Sequence, residues 1–201
     1  MRWLITLLLC LLVSACFTSG KRGGDVAMAT YDFGPAVPRL LDEPRKQALA
    51  VEVRAPLWFD SLGIDYRLLY VDAARLREYA NARWAGPPAQ LIQQRLMQQL
   101  DLVRAGQGQA RCLLRVEITE FSQVFSSPES SKGILQGRAV LLDRSRRQLA
   151  ELDLNLEQSA SSQDASGGVK AMTTNVTRLA INLQAWEQGL IESGKAAGCS
   201  G

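Results

Sequence analysis

Three consecutive stretches of this chain alternate apolar and polar residues with a period of two. Cys112, Leu114, Val116 and Ile118 oppose Arg115, Glu117 and Thr119 within 112–125; Leu135, Ala139 and Leu141 oppose Gln136, Arg138 and Val140; Leu152, Leu154 and Leu156 oppose Asp153, Asn155 and Glu157. Alternation of this kind belongs to strands with one dry and one wet face, and the polar loop 126–133 and the turn 143–147 between the stretches predict an antiparallel meander. Upstream, Val51 and Val53 alternate with Glu52 and Arg54 until Pro56 stops the strand, Tyr66-Arg67-Leu68-Leu69-Tyr70-Val71 reads as a second strand, and 30–35 as a short one closed by Gly34-Pro35. Two stretches carry the helical period instead. After Pro87-Pro88, Ile92, Leu96, Leu100 and Val103 form one stripe, with Gln93, Gln94, Gln98 and Gln99 facing water and an end near Gly106-Gln107-Gly108; Met172, Val176, Leu179, Leu183, Trp186 and Leu190 form another. A one-sided stripe must lie on something, so the expected architecture is α+β: a mainly antiparallel sheet with two long amphipathic helices packed on one face.

The first residues follow a different pattern. Arg2 precedes the apolar run Trp3–Leu12, which ends in Val13-Ser14-Ala15-Cys16 and is followed at once by polar residues 18–24. The run is shorter than the ~20 residues a membrane span needs, and it has the form of an export signal. Val13-Ser14-Ala15-Cys16 resembles a bacterial lipobox, which implies cleavage before Cys16, a diacylglycerol on its thiol and an acyl chain on its new amine. Phe17 after the cysteine, where aspartate would retain the protein in the inner membrane, implies the periplasmic side of the outer membrane. The expected organisation is a signal peptide at 1–15, an acylated tether at 16–27 and a single domain at 28–201. The tether is rich in Gly, Ser, Thr and basic residues, a composition that cannot bury a core.

Composition removes several function classes. Residues 16–201 are enough for one well-buried domain. A net charge of +3 is near balance and gives no footprint for nucleic acid. The chain has no histidine, the commonest general base and metal ligand. Of its four cysteines, Cys10 leaves with the signal and Cys16 is acylated. Cys112 and Cys199 either pair in an oxidising compartment or stay as one buried and one tail thiol. No cysteine pair has metal-ligand spacing, and no cofactor is expected beyond the acyl chains on Cys16.

Other candidates have bland readings. Asp60 with Asp65 and Glu117 with Glu120 are imaginable carboxylate pairs, but no motif joins them and each reads as a surface residue. Asn175-Val176-Thr177 matches a glycosylation acceptor yet sits inside a helix, and Gly167-Gly168 reads as turn glycines. Arg144, Arg146 and Arg147 form either a solvated hairpin tip or a contact for anionic groups, and Trp84 and Trp186 are assigned to the core. The connection Leu57–Gly63, with Trp58 and Phe59, either folds back on the core or projects as a partner-docking knob.

Tyr31-Asp32-Phe33-Gly34-Pro35, Pro56-x-Trp58, Tyr66-Arg67-Leu68 with Tyr70, and Tyr79-Ala80-x-x-Arg83-Trp84-x-x-Pro87-Pro88, with a weaker stretch at 116–125, resemble the ABC-type transport auxiliary lipoprotein family. The resemblance implies a non-enzymatic component of a system whose other parts are an ATPase, a permease and a substrate-binding protein of the mammalian-cell-entry type, moving lipids between the two membranes, with assembly into a homo-oligomer a hypothesis about the family. The competing reading is a structural envelope lipoprotein that stabilises an outer-membrane complex without touching substrate.

Overall fold

One strand, β6 (Cys112–Ser127), is long enough to need two neighbours on one side, and the rest of the fold follows from that. The computed structural model describes residues 27–107 and 109–199; the expected export signal at 1–15, Cys16 and all but the last residue of the expected tether at 16–27 lie outside the described residues. In chain order the elements are β1 (Ala29–Tyr31), β2 (Leu49–Arg54), β3 (Gly63–Leu68), β4 (Asp72–Trp84), α1 (Pro88–Leu100), β5 (Val103–Arg104), β6, β7 (Ser130–Leu142), β8 (Gln148–Ser159) and α2 (Ala165–Glu192). On one side β6 pairs with β7 along its length, and β7 with β8. On the other side β2 runs against Cys112–Glu117 and β3 against Gln123–Phe125. β4 follows β3, β1 covers the end of β4, and β5 edges β2.

Four of these seven pairings, β1–β4, β2–β5, β2–β6 and β3–β6, are parallel. The curled eight-stranded sheet is therefore mixed, and the expectation of a mainly antiparallel sheet is corrected. Hairpin connections force antiparallel neighbours only where the linking turn is short. β2 reaches β6 through β3, β4, α1 and β5, and that long route returns the chain in the same direction.

Both helices lie on one apolar core with the inward residues of β6, β7 and β8. Ile92, Leu96, Met172, Val176 and Leu179 are fully buried there. α1 stops earlier than its stripe suggested: Asp101 adopts a left-handed cap (φ 51°), and Val103 leaves the helix to pair with Ala50 on the edge of β2. Gln99, on the face expected to be wet, is buried, and so is Arg95. The Arg95 guanidinium donates to the carbonyls of Phe33, Gly34 (2.9 Å) and Pro35 (3.0 Å), so it clamps the Gly-Pro turn after β1. Phe33 then stacks edge-on against Trp84 (5.5 Å) and Phe121 (6.2 Å). Trp84 is fully buried and Trp186 half-buried against the same core. Val140, placed on the wet face by its alternation, is buried in a small second cluster with Ala50, Leu113 and Leu142 on the opposite face of the sheet.

α2 carries an Asp164 N-cap whose carboxylate accepts from the Gly167 amide at 2.8 Å. Gly167 and Gly168 lie inside its first turn, not in a preceding turn; a Cβ on Gly168 would stand 2.1 Å from Gln123 Oε1, so the glycine lets the helix approach β6. Asn175 is fully buried, and its amide donates to the carbonyls of Gly133 (2.8 Å) and Leu156 (3.2 Å), stitching α2 to β7 and β8. Cys112 and Cys199 are bonded with their Cα atoms 5.4 Å apart, which fixes the tail beyond α2 to the start of β6.

Candidate functional site

The segment between β2 and β3 divides the two residues grouped together as a docking knob. Pro56 turns the chain, its carbonyl accepting from the amides of Phe59 (2.9 Å) and Asp60 (3.1 Å). Asp60 Oδ1 accepts from the Ala89 amide (3.3 Å) in the first turn of α1, which uses one of the amides a helix start leaves unpaired. This turn drives Phe59 into the interior at 2 % exposure and leaves Leu57 and Trp58 projecting at 88 % and 67 %. Phe59 is thus the anchor of the loop, and Trp58 its exposed apolar surface. A buried aromatic beside an exposed one has no distinguishing pattern in sequence, because both are simply large and apolar.

Where β6 begins, a cleft of ≈ 480 Å³ opens over the Cys112–Cys199 bond, bordered by Arg111, Arg144, Arg147 and Lys195. Its only acid, Asp143, is spent inside its own turn. The carboxylate accepts from the amides of Ser145 (2.8 Å) and Arg147 (3.0 Å) and from Arg147 Nε (3.1 Å), contacts that hold its carboxyl below the usual carboxylate range. Arg111, Arg144 and Lys195 have no hydrogen bond or ion pair among the described residues, which leaves three cations facing one opening. Arg144 and Arg147 of the tight turn therefore form one wall of a cleft, a grouping that the distance in sequence between residues 111, 144 and 195 conceals.

Asp65, read as a surface residue, is buried at 3 % exposure in β3 opposite Glu78 of β4. Burial first, then the carboxylates of Glu78 and Glu120, push its carboxyl up to about 7, against the weaker pull of Arg67. Glu120 itself is held by Arg67, bidentate at 3.2 and 3.3 Å, and by Ser122 Oγ. Asp65 Oδ1 has no partner. Beside this group, Tyr79 Oη donates to Gln123 Oε1 (2.8 Å), Gln123 Nε2 to Ser131 Oγ (2.8 Å), and Ser131 to Gln163 (2.5 Å). These polar contacts lock β4, β6, β7 and the start of α2 together. Among the described residues no group of three or more acidic or cysteine side chains is placed to hold a metal ion, and no helix among them is long and apolar enough to cross a membrane.

A curled mixed sheet thus carries two helices on its inner face, an exposed tryptophan loop and a basic cleft. A family model described as the ABC-type transport auxiliary lipoprotein component matches residues 31–183, and the chain belongs to that family. Among solved structures, the crystal structure of a protein from Xanthomonas campestris is similar with a TM-score of 0.68 and 19 % identity, covering 83 % of this chain and 99 % of that one. The crystal structure of an uncharacterized protein is similar with a TM-score of 0.62 and 15 % identity, covering 78 % and 96 %. At these identities the likeness concerns the fold. No curated protein matches the chain. Several motif residues have structural roles here: Phe33 and Trp84 form the aromatic core, and Tyr79 the polar chain to Gln123.

Proposed function

We propose that this chain is a non-enzymatic component of an ABC-type envelope transport system, held on the periplasmic side of the outer membrane by acyl chains on Cys16. Its partners are then a substrate-binding protein of the mammalian-cell-entry type and the permease and ATPase behind it, and its task is to receive their assembly during lipid traffic between the membranes. The observation that carries this reading is the family match over residues 31–183. Two features of the fold support it. Trp58 and Leu57 offer an apolar contact on a loop that Phe59 and Asp60 hold in place, and such anchored aromatics dominate many protein interfaces. The basic cleft adds unpaired cations suited to an acidic partner surface.

A photo-crosslinking residue in place of Trp58, introduced in cells of the source organism, tests the reading. The expected product is a covalent adduct with a mammalian-cell-entry protein. Adducts formed solely with a barrel-assembly or wall-binding complex would instead establish the structural envelope lipoprotein.

A further inference from the structure

The turn between β3 and β4 exposes three consecutive apolar residues: Leu69, Tyr70 and Val71 are 47 %, 47 % and 60 % exposed. Its backbone is well held, with the Val71 amide donating to Leu68 O (3.0 Å) and the Leu69 amide to Phe125 O (2.9 Å), so the side chains are presented by a fixed turn. Solvent-facing turns normally carry Gly, Asn, Asp or Ser. Here the tip is apolar and aromatic, with Arg75 exposed and without an ion-pair partner close by on β4.

Strand direction says what lies opposite this tip. β3 runs parallel to β6 and antiparallel to β4, and β1 runs parallel to β4. The chain preceding Ala29 therefore arrives from the end of the sheet where Leu69–Val71 stands. Along β3, from Gly63 opposite Arg83 to Leu68 opposite Asp72, that end is about 17 Å from the start of β1. The thirteen residue steps from Cys16 to Ala29 reach about 20 Å as a random chain and about 45 Å when extended. The basic cleft lies at the other end, about 43 Å away along β6 from Phe125 to Cys112.

We infer that Leu69, Tyr70 and Val71 form a membrane-contacting tip, seated in the interface of the leaflet that holds the acyl chains of Cys16, so that the basic cleft faces away from that membrane. The inference rests on the lipid-anchor reading. An apolar turn with a tyrosine matches the headgroup boundary, where aromatic side chains with one polar end are favoured, and Arg75 supplies a cation for anionic headgroups. Contact at a second point, beside the acyl chains, sets the orientation of the domain, which a tether alone leaves free.

The test uses the mature, full-length protein in vesicles of phosphatidylethanolamine and phosphatidylglycerol at about three to one. With Cys16 acylated and Cys112 bonded to Cys199, Val71→Cys supplies one free thiol for an environment-sensitive fluorophore, and Ser145→Cys supplies one at the far end. The expected result is a blue-shifted signal at position 71, quenched by nitroxide lipids and several-fold less accessible to iodide than the label at 145, with both variants melting like the parent. A label at 71 as open to iodide as that at 145 overturns the inference. Shielding in lipid-free detergent that grows with protein concentration also overturns it, by showing that a second copy covers the tip. Intact mass separates the remaining failure: a protein recovered with Cys16 unmodified removes the anchor, and the tip proposal with it.

Discussion

Asp65 shows at the scale of one residue how position in the fold rewrites chemistry. Two residues before Arg67 in sequence, it reads as an ordinary acid; in the sheet it faces Glu78 and Glu120 and is nearly sealed from water. Its carboxyl titrates near 7 in the folded protein and well below 5 in the unfolded chain, so the folded state binds more protons across that interval. Stability attributable to Asp65 is then full below about pH 4, falls as pH rises toward 7 and is constant above. Asp65→Asn is expected to flatten this part of the stability profile, measured as urea midpoints from pH 4 to 8, with the gain over the parent largest at pH 7 to 8. Parallel profiles for both proteins would refute the assignment. Nothing in the local sequence could have disclosed this, since the two other carboxylates arrive from residues 78 and 120.

At the scale of elements, periodicity located what it could see. α2 was readable from its stripe, and β6, β7 and β8 from alternation, because each buries one continuous face. β4 was not. Its sequence, Asp-Ala-Ala-Arg-Leu-Arg-Glu-Tyr-Ala-Asn-Ala-Arg-Trp, is rich in helix formers and alternates only at its end, where Ala80, Ala82 and Trp84 oppose Asn81 and Arg83, and it is a strand because β3 supplies a partner with two register shifts along the way. Tertiary pairing overrode propensity there, and again at Val103, which the edge of β2 drew out of the α1 stripe. The start of α2 depends on its cap for a related reason: two glycines in the first turn weaken the helix while permitting close contact with Gln123. Asp164→Ala is expected to cost about 1 kcal/mol, read from chemical denaturation, with hydrogen exchange accelerating first at Gly167 and Gly168. An unchanged midpoint would show that packing alone holds the helix start.

For the whole molecule, the sheet order was the part least legible. Antiparallel neighbours joined by short turns leave a local signature, whereas β2 and β3 lie end to end along one side of β6 through contacts between residues sixty or so positions apart. The basic cleft is assembled by other distant contacts, the β6–β7 pairing that sets Leu113 opposite Leu142 and the Cys112–Cys199 bond, which bring residues 111, 144 and 195 together. The Trp58 loop was readable only as apolar; its division into a buried Phe59 and an exposed Trp58 needed the α1 terminus that receives Asp60. The proposed organisation of the molecule about a membrane, with the apolar tip at one end of the sheet and the cleft at the other, turns on Cys16. Intact-mass analysis of the protein extracted from purified outer membranes tests this most directly. The expected mass is that of a chain beginning at Cys16 and carrying a diacylglycerol and one further acyl chain, with modification and outer-membrane fractionation lost together in Cys16→Ala. A membrane-bound chain that retains residues 1–15, or one with an unmodified Cys16, would contradict it.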